Sequence, residues 1–404
     1  MDAAAKDKKH IVVFALITAL CLMGDSMLYI ALPVHYQELG FESLWEVGLV
    51  LAVNRMVRLP LNPCIGHLYS RISERTGICI AVALGILTTL SYGFLRGLFW
   101  WILARCLWGF AWSLLRLGSL FCILKISSPE TRGSYSGLYN GLYRLGSLIG
   151  MFGGGLLADV LGFSACAVIF GLGTACALPA LFAIPRGGEG RQINPEQPSV
   201  LDGFRLTARN RETLLTVLCG ATIALVLQGV VASTLSHLIS VHTDGLLEWG
   251  GLVLGAGTLA GFFQALRWSW EPWLAPLTGR LADRRYGWRR LLWFSFGSGG
   301  VVFSLLALSL PLPLWLAALL CMQATATALT TLADTGAAAT ASKGGGRSLL
   351  MTYALLVDMG AAFGPLIAYS LNAALGINCV YAFCAACFVV MAVAWRPFAA
   401  RTQE

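Results

Sequence analysis

Residues 137–155 read GLYNGLYRLGSLIGMFGGG, and the glycines of this stretch include Gly137, Gly146, Gly150, Gly154 and Gly155. They lie inside a long apolar segment. In a soluble helix interior each glycine would cost about 1 kcal/mol relative to alanine. In a bilayer, small residues offset that cost by letting a second backbone come close. The stretch therefore reads as a helix face built to be packed against. On spacing alone it is equally a general small-residue packing face. Two features add to that reading: an echo near the other end of the chain and one charge inside the apolar run, Arg144.

Outward from this stretch, the whole chain has the same character. Of 404 residues, 57% are hydrophobic and 12% are charged, against about 25% charged in an ordinary soluble protein. Apolar runs of about 20 residues, enough to cross a bilayer, recur throughout. This composition predicts an all-α polytopic membrane protein with lipid as its solvent. The first apolar run, from Ile11, continues through Asp25 to Pro33 without a small-residue cleavage site, so it reads as a retained span. The 12 cysteines fall in apolar segments without metal or disulfide spacing, and the histidines are scattered. No cofactor and no metal site is expected.

Twelve spans are predicted, at 11–35, 45–69, 76–93, 98–124, 134–160, 165–183, 214–240, 249–277, 289–310, 314–333, 347–374 and 378–395. Between the sixth and seventh lies a polar stretch containing RGGEGRQINPEQPSV, residues 186–200, which reads as a linker. The expected organisation is a six-helix half over 1–183, a linker over 184–213 and a second six-helix half over 214–404. Lysines and arginines outside the spans crowd on one side, with Arg96 alone on the other among Glu38, Glu42, Glu46, Asp159, Asp244 and Glu248. The positive-inside rule then places both termini and the linker in the cytoplasm. The net charge of +8 is mostly this topology signal and does not argue for nucleic acid.

The halves repeat. Pro63-Cys-Ile-Gly66 matches Pro276-Leu-Thr-Gly279, and Gly146-x3-Gly150 matches Gly360-x3-Gly364-Pro365. Internal duplication is common in transporter folds and places the substrate site near the midplane between the repeats.

Gly279-Arg-Leu-Ala-Asp283-Arg284, followed by Arg-Tyr-Gly-Trp-Arg289-Arg290, resembles the loop signature of the major facilitator superfamily. The first-half copy, Gly66-His-Leu-Tyr-Ser70-Arg71, carries Ser70 where that signature has aspartate. The opening stretch resembles the antiporter motif of the drug/proton exporter branch, G-x8-G-x3-G-P-x2-G-G. Gly137, Gly146, Gly150, Gly154 and Gly155 fit it, and Met151 replaces the proline. Arg105-Cys-Leu-Trp-Gly109 resembles the fourth-helix arginine motif, and Asp25 followed by Pro33 also fits the exporters. The resemblance covers essentially the whole chain. It implies the major facilitator fold, twelve transmembrane helices in two pseudo-symmetric halves, and a transporter, not an enzyme.

Ionisable residues inside the spans are Asp25, Arg55, Arg58, Arg105, Arg116, Arg144, Arg267, Glu271 and Asp358, with Asp334 at a span end. Such groups are expensive in lipid and face an interior or a water-filled path. Spans three, six, nine and twelve carry none, and the resemblance makes those the outer, lipid-facing helices. Asp25 and Arg105 are placed at matching depths, roughly 21 Å from the inner end and roughly 10 Å from the outer end of their helices. They are the candidate proton-coupling pair. An arginine favours the carboxylate and burial favours the neutral acid, so movement between the two settings would load and release a proton. The alternative is a fixed ion pair that merely permits burial.

The repeat superposes Arg58 on Glu271 and Arg144 on Asp358, with the charge reversed each time. In the resembled fold, span two faces span eleven and span five faces span eight. Arg58 with Asp358 and Arg144 with Glu271 are therefore candidate cross-domain pairs closing a cytoplasmic gate; intradomain partners, or a cavity-facing role for each, are the alternative. Arginines outnumber carboxylates inside the spans, and arginine suits bidentate recognition of carboxylate or phosphate. Arg55, Arg116, Arg267, Tyr29, Tyr143 and Trp268 are the candidate substrate-cavity residues; packing and interface anchoring are the alternative for the aromatics.

The expected function is proton-coupled export of a small anionic, zwitterionic or amphiphilic molecule, of drug type or a secreted metabolite such as a siderophore. An uptake symporter of the same fold is the alternative. The expected partners are a small-molecule substrate, protons and the lipid bilayer, with a monomer in a bacterial inner membrane.

Overall fold

The computed structural model of the chain describes residues 3–127, 132–184, 200–243, 246–249, 252–282, 286–343 and 346–399. Among them the backbone is almost wholly helical. The first five spans are α1 (Ala3–His35), α2 (Leu44–Leu68), α3 (Glu74–Tyr92), α4 (Leu98–Ile126) and α5 (Arg132–Leu161). The sixth combines α6 (Phe163–Ala175), α7 (Ala177–Ala180) and a 3-10 turn, Leu181–Ala183. A short helix, α8 (Val200–Arg209), lies in the stretch read as a linker. The seventh span is α9 (Arg211–Ile223), a π-helical stretch Ala224–Val231 and α10 (Ala232–His242). The remaining spans are α11 (Ala256–Leu281), α12 (Trp288–Leu306), α13 (Leu312–Lys343), α14 (Gly346–Leu375) and α15 (Ile377–Ala399). Gly97 and Gly162, at φ +81° and +83°, stand just before α4 and α6. The left-handed backbone there turns the chain sharply, which a side chain would resist.

Among the described residues, 9 helical segments are long and apolar enough to cross a membrane. Helices α2, α11 and α12 have comparable lengths, 25, 26 and 19 residues, but are more polar. α2 and α11 are the helices that hold Arg55, Arg58, Arg267 and Glu271. The twelve-helix expectation is consistent with this arrangement. The eighth span begins later than expected, at Ala256 rather than 249. Ahead of it β1 (Leu246–Trp249) pairs antiparallel with β2 (Leu252–Gly255), Leu246 opposite Gly255. That pairing uses the backbone groups a helix would need.

The residues group into two units. The first holds Met1–Asn194 and Leu235–Ala265, the second Pro195–Thr234 and Leu266–Glu404. In the first, α5 runs along α1 at backbone distance. A Cβ at Gly146 would fall on the Ala19 carbonyl, one at Gly150 on the Met23 carbonyl and one at Gly154 on the Met27 Cβ. Both helices advance by four residues at each step, so one glycine face meets one face of α1. The glycines thus permit a close helix crossing of the kind that stabilises helix pairs in lipid. Gly155 points elsewhere, onto the Gly257 carbonyl of α11, and Met151 O lies where a Gly261 Cβ would sit. α3 packs on α4 and α6. Tyr69 is wedged into niches left by Gly77 and Gly118, and its hydroxyl donates to Leu114 O at 2.7 Å.

The second unit repeats the device. A Cβ at Gly360 would meet the Ala221 carbonyl, and Gly364 approaches Gly229 and Leu225 O. Helix α14 therefore lies on span seven as α5 lies on span one, which is the duplication seen in Gly146-x3-Gly150 and Gly360-x3-Gly364. The Tyr369 hydroxyl donates to Ser233 O. α12 and α15 lock through Phe303, Phe388 and Tyr381, with ring centroids 5.2 Å apart for Phe303–Phe388 and 6.0 Å for Phe303–Tyr381.

Candidate functional site

Asp25 and Arg105 meet. Arg105 is fully buried (0% exposed), and Asp25 is 8% exposed. Arg105 NH1 donates to Asp25 Oδ1 at 2.5 Å. The same carboxylate oxygen accepts from Asn54 Nδ2 at 3.2 Å. Arg105 is held from two other sides: its Nε donates to Val50 O at 3.1 Å, and NH1 reaches the Tyr92 hydroxyl at 3.5 Å. Tyr92 is itself fixed by stacking on Trp101, 5.1 Å between centroids and 2° between planes. A backbone carbonyl and a stacked phenol thus anchor the guanidinium, while Asp25 is held by side chains alone. Sequence reasoning found the pair through depth arithmetic. It missed Asn54, which was visible as a polar residue beside Arg55, and Tyr92, which carried no signal before the α3–α4 register was known.

A second group of residues clusters in the same unit. Arg55 Nε donates to the Tyr29 hydroxyl at 3.3 Å. The Arg58 guanidinium stands 6.0 Å from the Trp112 ring centroid. Trp112 meets Tyr143 edge to face at 5.9 Å, and Tyr143 lies 5.2 Å from Tyr139. Arg116 sits over both tyrosines, 5.5 Å from Tyr143 and 5.9 Å from Tyr139. Its NH1 donates to Asn140 Oδ1 at 3.0 Å. These distances suit cation–π attraction. Trp112 and Asn140 were not singled out from the sequence: Trp112 looked like any membrane tryptophan, and Asn140 acquires meaning from the contact with Arg116.

In the second unit Arg267 is buried, donates through NH2 to Thr330 Oγ1 at 3.3 Å and lies 5.6 Å from the Trp268 ring. Trp270 Nε1 donates to Thr327 Oγ1 at 3.3 Å. Arg58 and Arg144 belong to the first unit, and Glu271 and Asp358 to the second. Of the loop motif, Gly66 and Gly279 have open space where a Cβ would stand, and Arg71 is exposed. Asp283 and Arg284 lie outside the described residues. Gly137 of the antiporter-like stretch also faces open space.

One residue stands out in the sequence only as an outer-side charge. Asp159, near the end of α5, accepts through Oδ2 from both the Thr258 N–H and the Thr258 hydroxyl, each at 2.6 Å. It satisfies an otherwise orphan donor in the first turn of α11. Gly255 and Gly257 leave room for it, since a Cβ at either would strike the carboxylate.

Helices of bilayer length, a duplicated glycine crossing and a buried Asp25–Arg105 pair describe a multi-pass membrane protein. Residues 14–273 match the family model of the Major Facilitator Superfamily, and the chain belongs to that superfamily. It is 24% identical over 281 residues to the Staphyloferrin B transporter of Staphylococcus aureus, 66% of this chain and 63% of that protein. An uncharacterised transporter of the superfamily from Methanocaldococcus jannaschii is 26% identical over 160 residues, 39% of this chain and 40% of that one. The matches span less than two thirds of either relative's length. Among solved structures, nucleoside transporter NupG superposes with a TM-score of 0.75 at 16% identity, covering 98% of this chain and 99% of that one. A bacterial homologue of the lysosomal transporter Spinster, in an inward-facing occupied conformation, gives 0.73 at 15% identity, covering 97% and 96%. At these identities the likeness concerns the fold.

Proposed function

We propose that the chain is a proton-coupled exporter of a small anionic, zwitterionic or amphiphilic molecule, a drug-type compound or a secreted metabolite such as a siderophore. It works by alternating access of two halves, 1–183 and 214–404, joined by 184–213, with both termini in the cytoplasm. The observation that carries the coupling is the buried Asp25–Arg105 contact, in which the arginine is anchored independently of the carboxylate. Protonating Asp25 removes the charge attraction, while Arg105 keeps Val50 O and Tyr92. The carboxyl group can then leave and return as the bundle changes state. Arg58 with Asp358 and Arg144 with Glu271 close the cytoplasmic side in the outward-facing state. The lean towards an anionic metabolite comes from the arginine excess, and the relative that transports staphyloferrin B agrees with it.

Everted vesicles test this reading. With an acid lumen reported by acridine orange, a transported carboxylate candidate releases luminal protons as it enters, and fluorescence recovers. Asp25→Asn abolishes the recovery and keeps substrate binding. Undiminished recovery in Asp25→Asn overturns the coupling role. Proton movement in the same direction as substrate identifies the uptake symporter instead.

A further inference from the structure

The Asn54 side chain touches the Asp25–Arg105 pair with only one end of its amide. It is buried, 3% exposed. Its Nδ2 donates to Asp25 Oδ1 at 3.2 Å, the same oxygen that accepts from Arg105 NH1. Its own Oδ1 has no hydrogen-bond partner among the described residues. A buried acceptor left in that way costs stability, and such groups are few in native structures. The main chain around it is fixed. Arg105 Nε donates to Val50 O at 3.1 Å. One turn further along both helices, a Cβ at Gly109 would stand 2.7 Å from Asn54 O. Helix α2 therefore lies against α4 in a register that advances by four on each, Val50 with Arg105 and Asn54 with Gly109. The amide is the movable part. The last torsion of an asparagine is broad and roughly two-fold, so its amide group turns over with little change of shape.

We propose that Asn54 is a positioning residue that holds Asp25 in both of its protonation states by turning its amide over. An ionised carboxylate only accepts, so it takes an N–H of Nδ2, as here. On protonation, a proton from the aqueous side adds to a carboxylate oxygen. One O–H bond forms, and the side chain loses its negative charge. The oxygen facing Asn54 is then a donor, and Nδ2 would set a second donor against it. Turning brings Oδ1 round to accept that O–H. Either orientation leaves one amide atom unpaired, so the turn loses no bond. The acid, released from the charge on α4, is retained by α2. The proposal rests on the coupling role of Asp25 given above. The titratable and charged groups around Asp25 are Arg105 on α4, Tyr92 on α3, Tyr29 one turn along α1, and Arg55 of α2 on the Tyr29 hydroxyl. From α6 comes the Cys166 thiol, on Met27 Sδ at 3.6 Å. Helix α5 meets α1 here through Gly150–Gly154, which holds no titratable residue.

Infrared difference spectroscopy on the purified full chain in nanodiscs tests it. The probe is the proton itself, titrated from about pH 9 to about pH 3 across the ordinary carboxylate range. The protein carries isotope-labelled asparagine, so that side-chain amide bands are recognised by their isotope shift. On acidification the acid carbonyl band of Asp25 grows in, and Asp25→Asn removes it. An asparagine carbonyl band shifts with the same midpoint, because its oxygen gains a hydrogen bond. That coincidence is read in the wild-type protein and needs no variant to fold. Asn54→Leu removes the asparagine shift and moves the Asp25 acid band to higher frequency, the acid having lost its acceptor. Asn54→Ser, whose hydroxyl both donates and accepts, returns the acid band part of the way. An Asn54 confined to a structural role moves none of these bands. An Asp25 acid band with no asparagine shift overturns the proposal and leaves the coupling role of Asp25 standing. So does an Asp25 acid band unchanged in a folded Asn54→Leu. No Asp25 acid band at any pH overturns the coupling role, and the part given to Asn54 falls with it.

Discussion

Arg105 illustrates how one buried charge can be both anchor and partner. Removing one member of a buried pair leaves the other uncompensated, at about 3–5 kcal/mol. The contacts to Val50 O and Tyr92 give the guanidinium acceptors that survive loss of the carboxylate charge, so the two single substitutions should be unequal. Arg105→Gln strands Asp25 and is the more destabilising, by about 3 kcal/mol or more. Asp25→Asn leaves Arg105 anchored and costs less. In the double variant the two penalties are less than additive, because they share one interaction. Unfolding of the four proteins in detergent measures the cycle, and strict additivity would show that the pair is not coupled. At this scale the pair itself was legible, since counting residues along two helices of known direction gives depth. Asn54, Tyr92, Trp112 and Asn140 were not, because their roles depend on the rotation of each helix about its own axis, which residue spacing along one helix does not specify across to another.

Helix pairs carry the next level. The glycine face of α5 could be read from residue types alone, but its partner could not. Gly146, Gly150 and Gly154 turn to Ala19, Met23 and Met27, whereas Gly155, one residue further, turns to α11. A single helix thus presents small residues to two neighbours. Met151, where the exporter motif has proline, keeps its carbonyl against Gly261. The start of α11 at Ala256 was misplaced because the residues before it are apolar enough for a span, and pairing of β1 with β2 is a nonlocal event. Asp159 reinforces that start from another helix. Asp159→Ala removes both acceptor contacts to Thr258 and should weaken the first turn by about 1 kcal/mol, the usual worth of a cap. Amide exchange at residues 257–260 then rises about fivefold, read by mass spectrometry in nanodiscs. Asp159→Asn, which keeps one acceptor oxygen, lies between. Unchanged exchange in Asp159→Ala would mean that the cap contributes nothing to the stability of the turn.

At the scale of the whole molecule, the pattern of charge is what alternation between two states would need. Duplicated positions carry opposite signs: Arg144 precedes Gly150 by the same interval as Asp358 precedes Gly364, and Arg58 precedes Gly66 as Glu271 precedes Gly279. A repeat that only packed would have no reason to reverse its charges, since lipid penalises either sign. Reversal makes sense when each half must meet the other and separate again, because opposite charges attract across a closing gate and are rehydrated when it opens. The helical, many-span character and this antisymmetry were legible because they depend on hydropathy and counting, and the expected twelve spans are consistent with the nine apolar helices among the described residues. The loop residues Asp283 and Arg284 were legible as a motif, yet their contacts lie outside the described residues. The proposed gate is tested on Arg144 and Glu271. On the proposed pairing, Glu271→Arg sets like charges against each other, and proton-driven flux in everted vesicles should fall by about tenfold, equivalent to ~1.4 kcal/mol of gate stability. Adding Arg144→Glu restores the attraction with its polarity exchanged and should recover a substantial part of that flux. Arg144→Glu alone should be as impaired as Glu271→Arg alone. Three equally inactive variants at normal expression would separate Arg144 from Glu271 and leave the cytoplasmic side to be closed by other groups.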